Sequence, residues 1–170
     1  MASRACWSAV FLTRINGLKP EVNERSSILI LGSLPSRESI ERGEYYANPK
    51  NQFWKITREI LDIGSELPYC TRLERLLAQG IALWDVLSSC ERNGSLDKDI
   101  RNPVGNDLEA FLTKYERINR IGFNGQKSWK LAKKLRINPM GKSLAVLPSS
   151  SPANTSRLLE KVKEWKLFLS

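Results

Sequence analysis

Ser27-Ile28-Leu29-Ile30-Leu31-Gly32 is the run that decides the fold class. Four aliphatic residues in succession, with no polar residue at alternate positions, leave neither face for water. That is the pattern of a strand covered on both sides of a parallel sheet, and the glycine ends it. Working outward, similar apolar runs predict strands at residues 81–87, 118–123 and 144–147. Between them the apolar residues fall at helical spacing. Phe53, Trp54, Ile56, Ile60 and Leu61 mark a helix over 51–61, Leu73, Leu76 and Leu77 one over 70–79, and Leu108, Phe111 and Leu112 one over 108–115. A further helix is expected over 126–135. The last carries Leu158, Val162, Trp165 and Leu169 on one stripe, with Asn154 or Thr155 as its N-cap. Strand alternating with helix predicts an α/β three-layer αβα sandwich around a central four-stranded, mainly parallel sheet. Ligands of such sheets sit beyond the carboxyl ends of the strands. The loops after Leu31, Leu87, Phe123 and Leu147 are therefore the places to look.

The chain has 170 residues, enough for one domain but not for two independent ones. Residues 17–170 read as that domain. Residues 1–16 read as an N-terminal extension, either unstructured or a short edge strand; two arginines and no acid give it a faint transit-peptide character. No apolar run is long enough to cross a bilayer.

Composition removes several chemistries. The chain contains no histidine, which excludes imidazole general bases, Ser-His-Asp and Cys-His nucleophile systems and every zinc site that needs His. Cys6, Cys70 and Cys90 are scattered and too few for an all-thiolate metal site, so no metal or other cofactor is expected. They read as packing residues in a reducing compartment, the cytoplasm of a prokaryote or the nucleus of a eukaryote. A net charge of +9 points to a polyanionic partner, although the basic residues form no block and a merely solvated basic surface is the plainer alternative.

Three of the four loops have unusual content. The first reads Gly32-Ser33-Leu34-Pro35-Ser36, followed by Tyr45-Tyr46-Ala47-Asn48-Pro49-Lys50-Asn51-Gln52-Phe53-Trp54. The third is Phe123-Asn124-Gly125, and the fourth is Leu147-Pro148-Ser149-Ser150-Ser151-Pro152-Ala153-Asn154. Hydroxyls, glycines and exposed backbone N–H groups at strand ends suit phosphate binding, yet each alone is an ordinary turn. In this order and spacing they resemble the uracil-DNA glycosylase superfamily, nearest to its hypoxanthine (DNA-deoxyinosine) branch, with the mismatch-specific uracil enzymes next. The resemblance spans about Ser27 to Asn154. It implies a uracil-DNA glycosylase-like sandwich, and excision of a deaminated base, hypoxanthine above all, by a monomeric hydrolase that needs DNA but no metal.

The resemblance also implies roles. Tyr46 takes the place of the aromatic residue that stacks on the extruded base. Asn51 matches the asparagine that positions the attacking water, a role compatible with serving as a helix N-cap. Asn124 matches the asparagine that contacts the base. Ser33 and Ser36 are expected at the base. Ser149, Ser150, Ser151 and Ala153 are expected along the DNA backbone, Ala153 where relatives carry an intercalating wedge. Lys127, Arg101 and Lys142 are chosen as phosphate contacts by proximity to the loops. Typical uracil enzymes carry G-Q-D-P-Y in the first loop; here Leu34 stands at the acid and Ser36 at the tyrosine. Ser36 is then expected to open room for a purine, and loss of the acid to slow the reaction by roughly 10² to 10⁴. Asn51→Ala and Asn124→Ala are expected to reduce excision far more than stability. Asp85 could hold the water or an arginine, or form a structural ion pair.

Gly141-Lys142-Ser143 mimics the end of a P-loop, but Arg136 occupies the first glycine position and a helix precedes instead of following. A lysine Schiff-base lyase lacks its helical hairpin here. Uracil or G:U/T mismatch specificity, and a catalytically silent nucleic-acid-binding module, remain the alternatives.

Overall fold

The computed structural model describes residues 14–92 and 100–170. Its main sheet has four parallel strands in the order β3-β2-β6-β7, formed by β2 (Ile28–Gly32), β3 (Ile81–Asp85), β6 (Arg120–Asn124) and β7 (Ser143–Leu147). Ile28 pairs with Ile81 on one side and Arg120 on the other, while Gly32 pairs with Asp85. All five residues of β2 are buried, as a central strand with both faces covered must be.

Alternation along β2 separates two apolar layers. Leu29 and Leu31 pack with Phe111 and Leu112 of α4 (Leu108–Lys114) and with Leu131 of α5 (Gln126–Lys134). Ile28 and Ile30 face the other way, onto Phe53 and Ile56 of α2 (Phe53–Leu61), Leu76 of α3 (Tyr69–Ala78) and Trp165 of α6 (Leu158–Leu169). This is the sandwich the apolar runs predicted, with each long helix present and the ends of α2 to α5 within two residues of those expected.

The strand expected over 81–87 is two strands. β3 ends at Asp85, and after Val86 the chain enters β4 (Leu87–Glu91), which lies in a second, antiparallel sheet of order β1-β4-β5. β1 is Arg14–Asn16 and β5 is Arg101–Gly105. Residues 14–16, assigned from sequence to the extension, thus pair with Ser89 to Glu91; residues 1–13 lie outside the described residues. A short helix, α1 (Arg37–Arg42), also went unforeseen. Ser36 caps it by accepting from Ser39 N–H, and Gly43 closes it in the left-handed conformation.

The start of α6 differs too. Its N-cap is Arg157, without a side-chain cap, rather than Asn154 or Thr155. Asn154 is used elsewhere: its amide donates to Ser149 O at 3.1 Å, its Oδ1 accepts from Ser156 N–H, and its carbonyl accepts from Lys161 Nζ at 2.8 Å. It holds the loop before the helix instead of the helix end.

Candidate active site

Beyond the carboxyl ends of β2, β3, β6 and β7 the structure opens a cleft of about 620 Å³. It is lined by Ser33 and Ser36 of the first loop, Tyr46, Asn51, Asp85, Asn124, and Ser149 to Ala153. The tips of all four parallel strands therefore meet at one cavity.

Two glycines make this convergence possible. A Cβ on Gly32 would collide with Asp85 Oδ1 and lie 3.8 Å from Tyr46 Oη. Gly125 has φ 100°, a left-handed conformation that side chains resist, and a Cβ there would sit 2.7 Å from Ser149 Cβ. The first glycine lets β2 pass the Asp85 carboxylate. The second lets the loop after β6 press against the loop after β7.

Tyr46 is held firmly. Its backbone takes φ 57°, an uncommon value for a non-glycine residue. Its ring stacks on Phe53 with centroids 4.0 Å apart and planes inclined by 20°. Burial pushes its phenol well above the usual tyrosine range, and the Asp85 charge pushes it further. Tyr45 beside it is buried, its hydroxyl donating to Lys19 O at 3.1 Å.

Asn51 lines the cleft but is not the N-cap of α2, a position held by Gln52; it sits one residue earlier, and its Oδ1 accepts from Phe53 N–H at 2.9 Å. Asn124 is more heavily engaged than expected. Its Nδ2 donates to Ser150 Oγ at 2.8 Å and to Tyr46 Oη at 3.2 Å, and its Oδ1 accepts from Ser150 N–H at 2.8 Å. Both amide hydrogens are thus directed at protein partners. Ser150 is completely buried, and its carbonyl accepts from Gln52 N–H at 2.8 Å. Its hydroxyl accepts from Asn124, while the residue itself borders the cleft. Ser149, Ser151 and Ala153 line the cleft.

Of the cations chosen by sequence proximity, none lines the cleft. Lys127 is exposed on the first turn of α5, at the correct end of the sheet. Lys142 precedes β7, so a whole strand separates it from the cleft, and its ammonium donates to Glu116 O at 3.4 Å. Arg101 is exposed in the second sheet. Nearness in sequence to a strand's first residue misled the choice of Lys142, because a strand of five residues carries the chain about 16 Å. Lys50 does line the cleft and was overlooked, although it lies inside the motif from Tyr45 to Trp54. Ser39 was missed because it belongs to the unforeseen α1; its hydroxyl accepts from Ala47 N–H at 3.1 Å and ties the first loop to the Tyr46 loop.

A buried lysine ties two of these elements together. Lys161 is fully buried on α6 and donates at 2.8 Å to Gln52 Oε1 and to Asn154 O, clamping the start of α2 to the serine loop. Leu34, where an acid was noted as missing, is buried against the core cluster and borders the cleft as an apolar wall.

The profile of the Uracil DNA glycosylase superfamily matches residues 19–169. The chain belongs to that superfamily. Two similar members of known sequence are named hypoxanthine DNA glycosylase. The one from Methanosarcina acetivorans is 36 % identical over 151 residues, covering 88 % of this chain and 94 % of that protein. The one from Methanosarcina barkeri is 36 % identical over 152 residues, with the same coverage. A solution structure from Methanosarcina acetivorans, described as a candidate uracil DNA glycosylase, superposes with a TM-score of 0.80 at 35 % identity, covering 92 % of this chain and 97 % of that one. The superfamily resemblance read from the loop motifs and the predicted fold are thereby established. Among the described residues, no helix is long and apolar enough to cross a membrane.

Proposed function

We propose that this superfamily member is a monofunctional DNA glycosylase that takes a deaminated base, hypoxanthine in deoxyinosine, into the cleft and hydrolyses its N-glycosidic bond. The observation that carries the reading is the meeting of Tyr46, Asn51 and Asn124 around one cavity of a volume typical for small-molecule sites, roughly 300–1,000 Å³. The names of the two Methanosarcina relatives support hypoxanthine as the base.

An extruded base forfeits its stacking in the duplex, a few kcal/mol, and needs an aromatic face in exchange. The Tyr46 ring, backed by Phe53, provides one. Asn51 presents a carboxamide whose oxygen is held by Phe53 N–H and retains a second lone pair for a water. In the reaction the C1′–N9 bond breaks first, a water oxygen bonds to C1′, and its proton ends on the departing purine or in solvent. A carboxamide orients that water without deprotonating it, so the route is dissociative and slow, with phosphates stabilising the sugar cation. Asn124, bonded to Ser150 and Tyr46, shapes the cavity from below. The serine loop and the net charge of +9 suit a DNA backbone. DNA with deaminated bases is the proposed partner, and a monomer the proposed state.

Incubation with a duplex bearing one deoxyinosine, followed by hot alkali, tests the reading. Strand scission at the lesion is the expected result. Binding without scission would replace it with a silent DNA-binding module. Uracil is the second reading, favoured by the name of the solved neighbour; parallel duplexes with uracil opposite guanine and opposite adenine decide between them, and preferential uracil release would overturn the role given to Ser36.

A further inference from the structure

Among the described residues that line the cleft, Asp85 is the only acid. It ends β3, is 4 % exposed, and its carbonyl is tied down by Asn106 Nδ2 at 2.8 Å. Gly32, its cross-strand partner, has no side chain to share the space with its carboxylate; a Cβ there would collide with Asp85 Oδ1 and lie 3.8 Å from Tyr46 Oη. Asp85 and Tyr46 line the same cleft, so a base stacked on the Tyr46 ring is within the cavity that this acid borders. Asn124, assigned from sequence to the base edge, spends both amide hydrogens on Tyr46 and Ser150.

We infer that Asp85 is the specificity-determining residue that accepts the ring N1–H of hypoxanthine and rejects adenine. The inference rests on the glycosylase reading above. Deamination of adenine changes N1 from a lone-pair acceptor to an N–H donor and replaces the 6-amino group by a carbonyl. A carboxylate only accepts, and its two oxygens offer about four lone-pair sites, enough to take a base N–H beside its contacts within the protein. Facing adenine, it meets a second lone pair in a dry site, where the mismatch is heavily penalised. Uracil presents the same donor at N3, so Asp85 separates deaminated bases from adenine and leaves the choice between purine and pyrimidine to cavity size.

The test pairs protein and substrate changes under single-turnover conditions. Duplexes carry deoxyinosine, 1-methyldeoxyinosine, deoxyuridine or 3-methyldeoxyuridine; the methyl group removes the N–H while leaving the departing nitrogen unchanged. The wild-type protein is expected to release the methylated base at least about 100-fold more slowly than its parent. Asp85→Ala, which removes the acceptor and vacates room for the methyl group, is expected to shrink that gap to less than about 10-fold. Asp85→Asn should lose at least about 10-fold on the parent base and keep wild-type affinity for a duplex with a tetrahydrofuran abasic analogue, which has no base to read. A residue acting on the water alone, or only on folding, would slow parent and methylated substrates in equal proportion and leave the gap intact. Wild-type release of a methylated base at the parent rate, or an unchanged gap in Asp85→Ala, overturns the inference while the glycosylase reading stands. No release of either parent by the wild-type protein overturns both.

Discussion

Asn124→Ala separates the structural from the sequence-level view of the cleft. The sequence points to a base-contacting amide whose loss spares stability. In the structure the same side chain makes three hydrogen bonds, two of them at 2.8 Å to the fully buried Ser150 and one at 3.2 Å to Tyr46. Removing it strands the Ser150 N–H and hydroxyl away from water, and a stranded buried group costs about 1–3 kcal/mol. The Tyr46 bond is longer and its hydroxyl oxygen can find another donor, so it adds little. The sum for the two stranded groups is about 2–6 kcal/mol. For a chain of this size that lowers the melting temperature by roughly 4–24 °C, at about 2–4 °C per kcal/mol. Urea melts followed by fluorescence and circular dichroism should show a lower midpoint with the slope unchanged. Excision should fall as well, because Ser150 carries the serine loop and accepts from Gln52 N–H. A variant within about 0.5 kcal/mol of the wild-type protein would refute this network as a structural element.

Tyr46→Phe keeps the ring stacked on Phe53 and should retain excision within about 10-fold, whereas Tyr46→Ala should lose at least about 100-fold in single-turnover assays; equal losses would place the function in the hydroxyl. Alkali should unfold the protein cooperatively. Burial raises the phenols of Tyr45 and Tyr46, and pushes Tyr69 up to about 12. Their protonated forms contribute stability that is complete below the unfolded value near 10 and is lost as pH rises above it, at up to about 4 kcal/mol per pH unit for three groups. Tyrosinate absorbance from these three rings should therefore appear together with unfolding, and its appearance in the folded protein near pH 10 would contradict their burial. Gly32→Ala should displace the Asp85 carboxylate and reduce excision at least about 10-fold, with wild-type turnover as the contrary result. With no histidine in the chain, the excision rate should show no side-chain inflection between pH 6 and 7, and one there would require a titrating group the proposed mechanism lacks.

The legible parts of the fold were those in which a local pattern and a tertiary role coincide. Ile28 to Leu31 are apolar without interruption because both faces of β2 are covered, and the helices repeat at 3.6 because each buries one stripe. The second sheet had no such signature. Leu87–Glu91 is half polar, and Arg101–Gly105 contains Pro103, tolerated only because β5 is an edge strand. The break at Val86 leaves little trace in sequence, since apolar residues resume at Val86 and Leu87 directly after Asp85 while the chain changes sheets.

The site divides similarly. Tyr46, Asn51 and Asn124 fall in motifs whose order survives as a pattern, so their convergence could be anticipated. What each side chain bonds to could not. Ser150 looks like its neighbours Ser149 and Ser151 in sequence, yet it alone of the three is fully buried. Asp85 looks like the end of a strand, and its closeness to Tyr46 depends on a glycine in the neighbouring strand. Lys161 sits on a helix among exposed lysines and glutamates, and only the packing of α6 against α2 turns it inward.

One duplex carrying both a deoxyinosine and a deoxyuridine, incubated with the wild-type protein and analysed for free base by mass spectrometry, tests the central claim most directly. Free hypoxanthine appearing ahead of uracil is the predicted result. Uracil released first, or no free base at all, would contradict it.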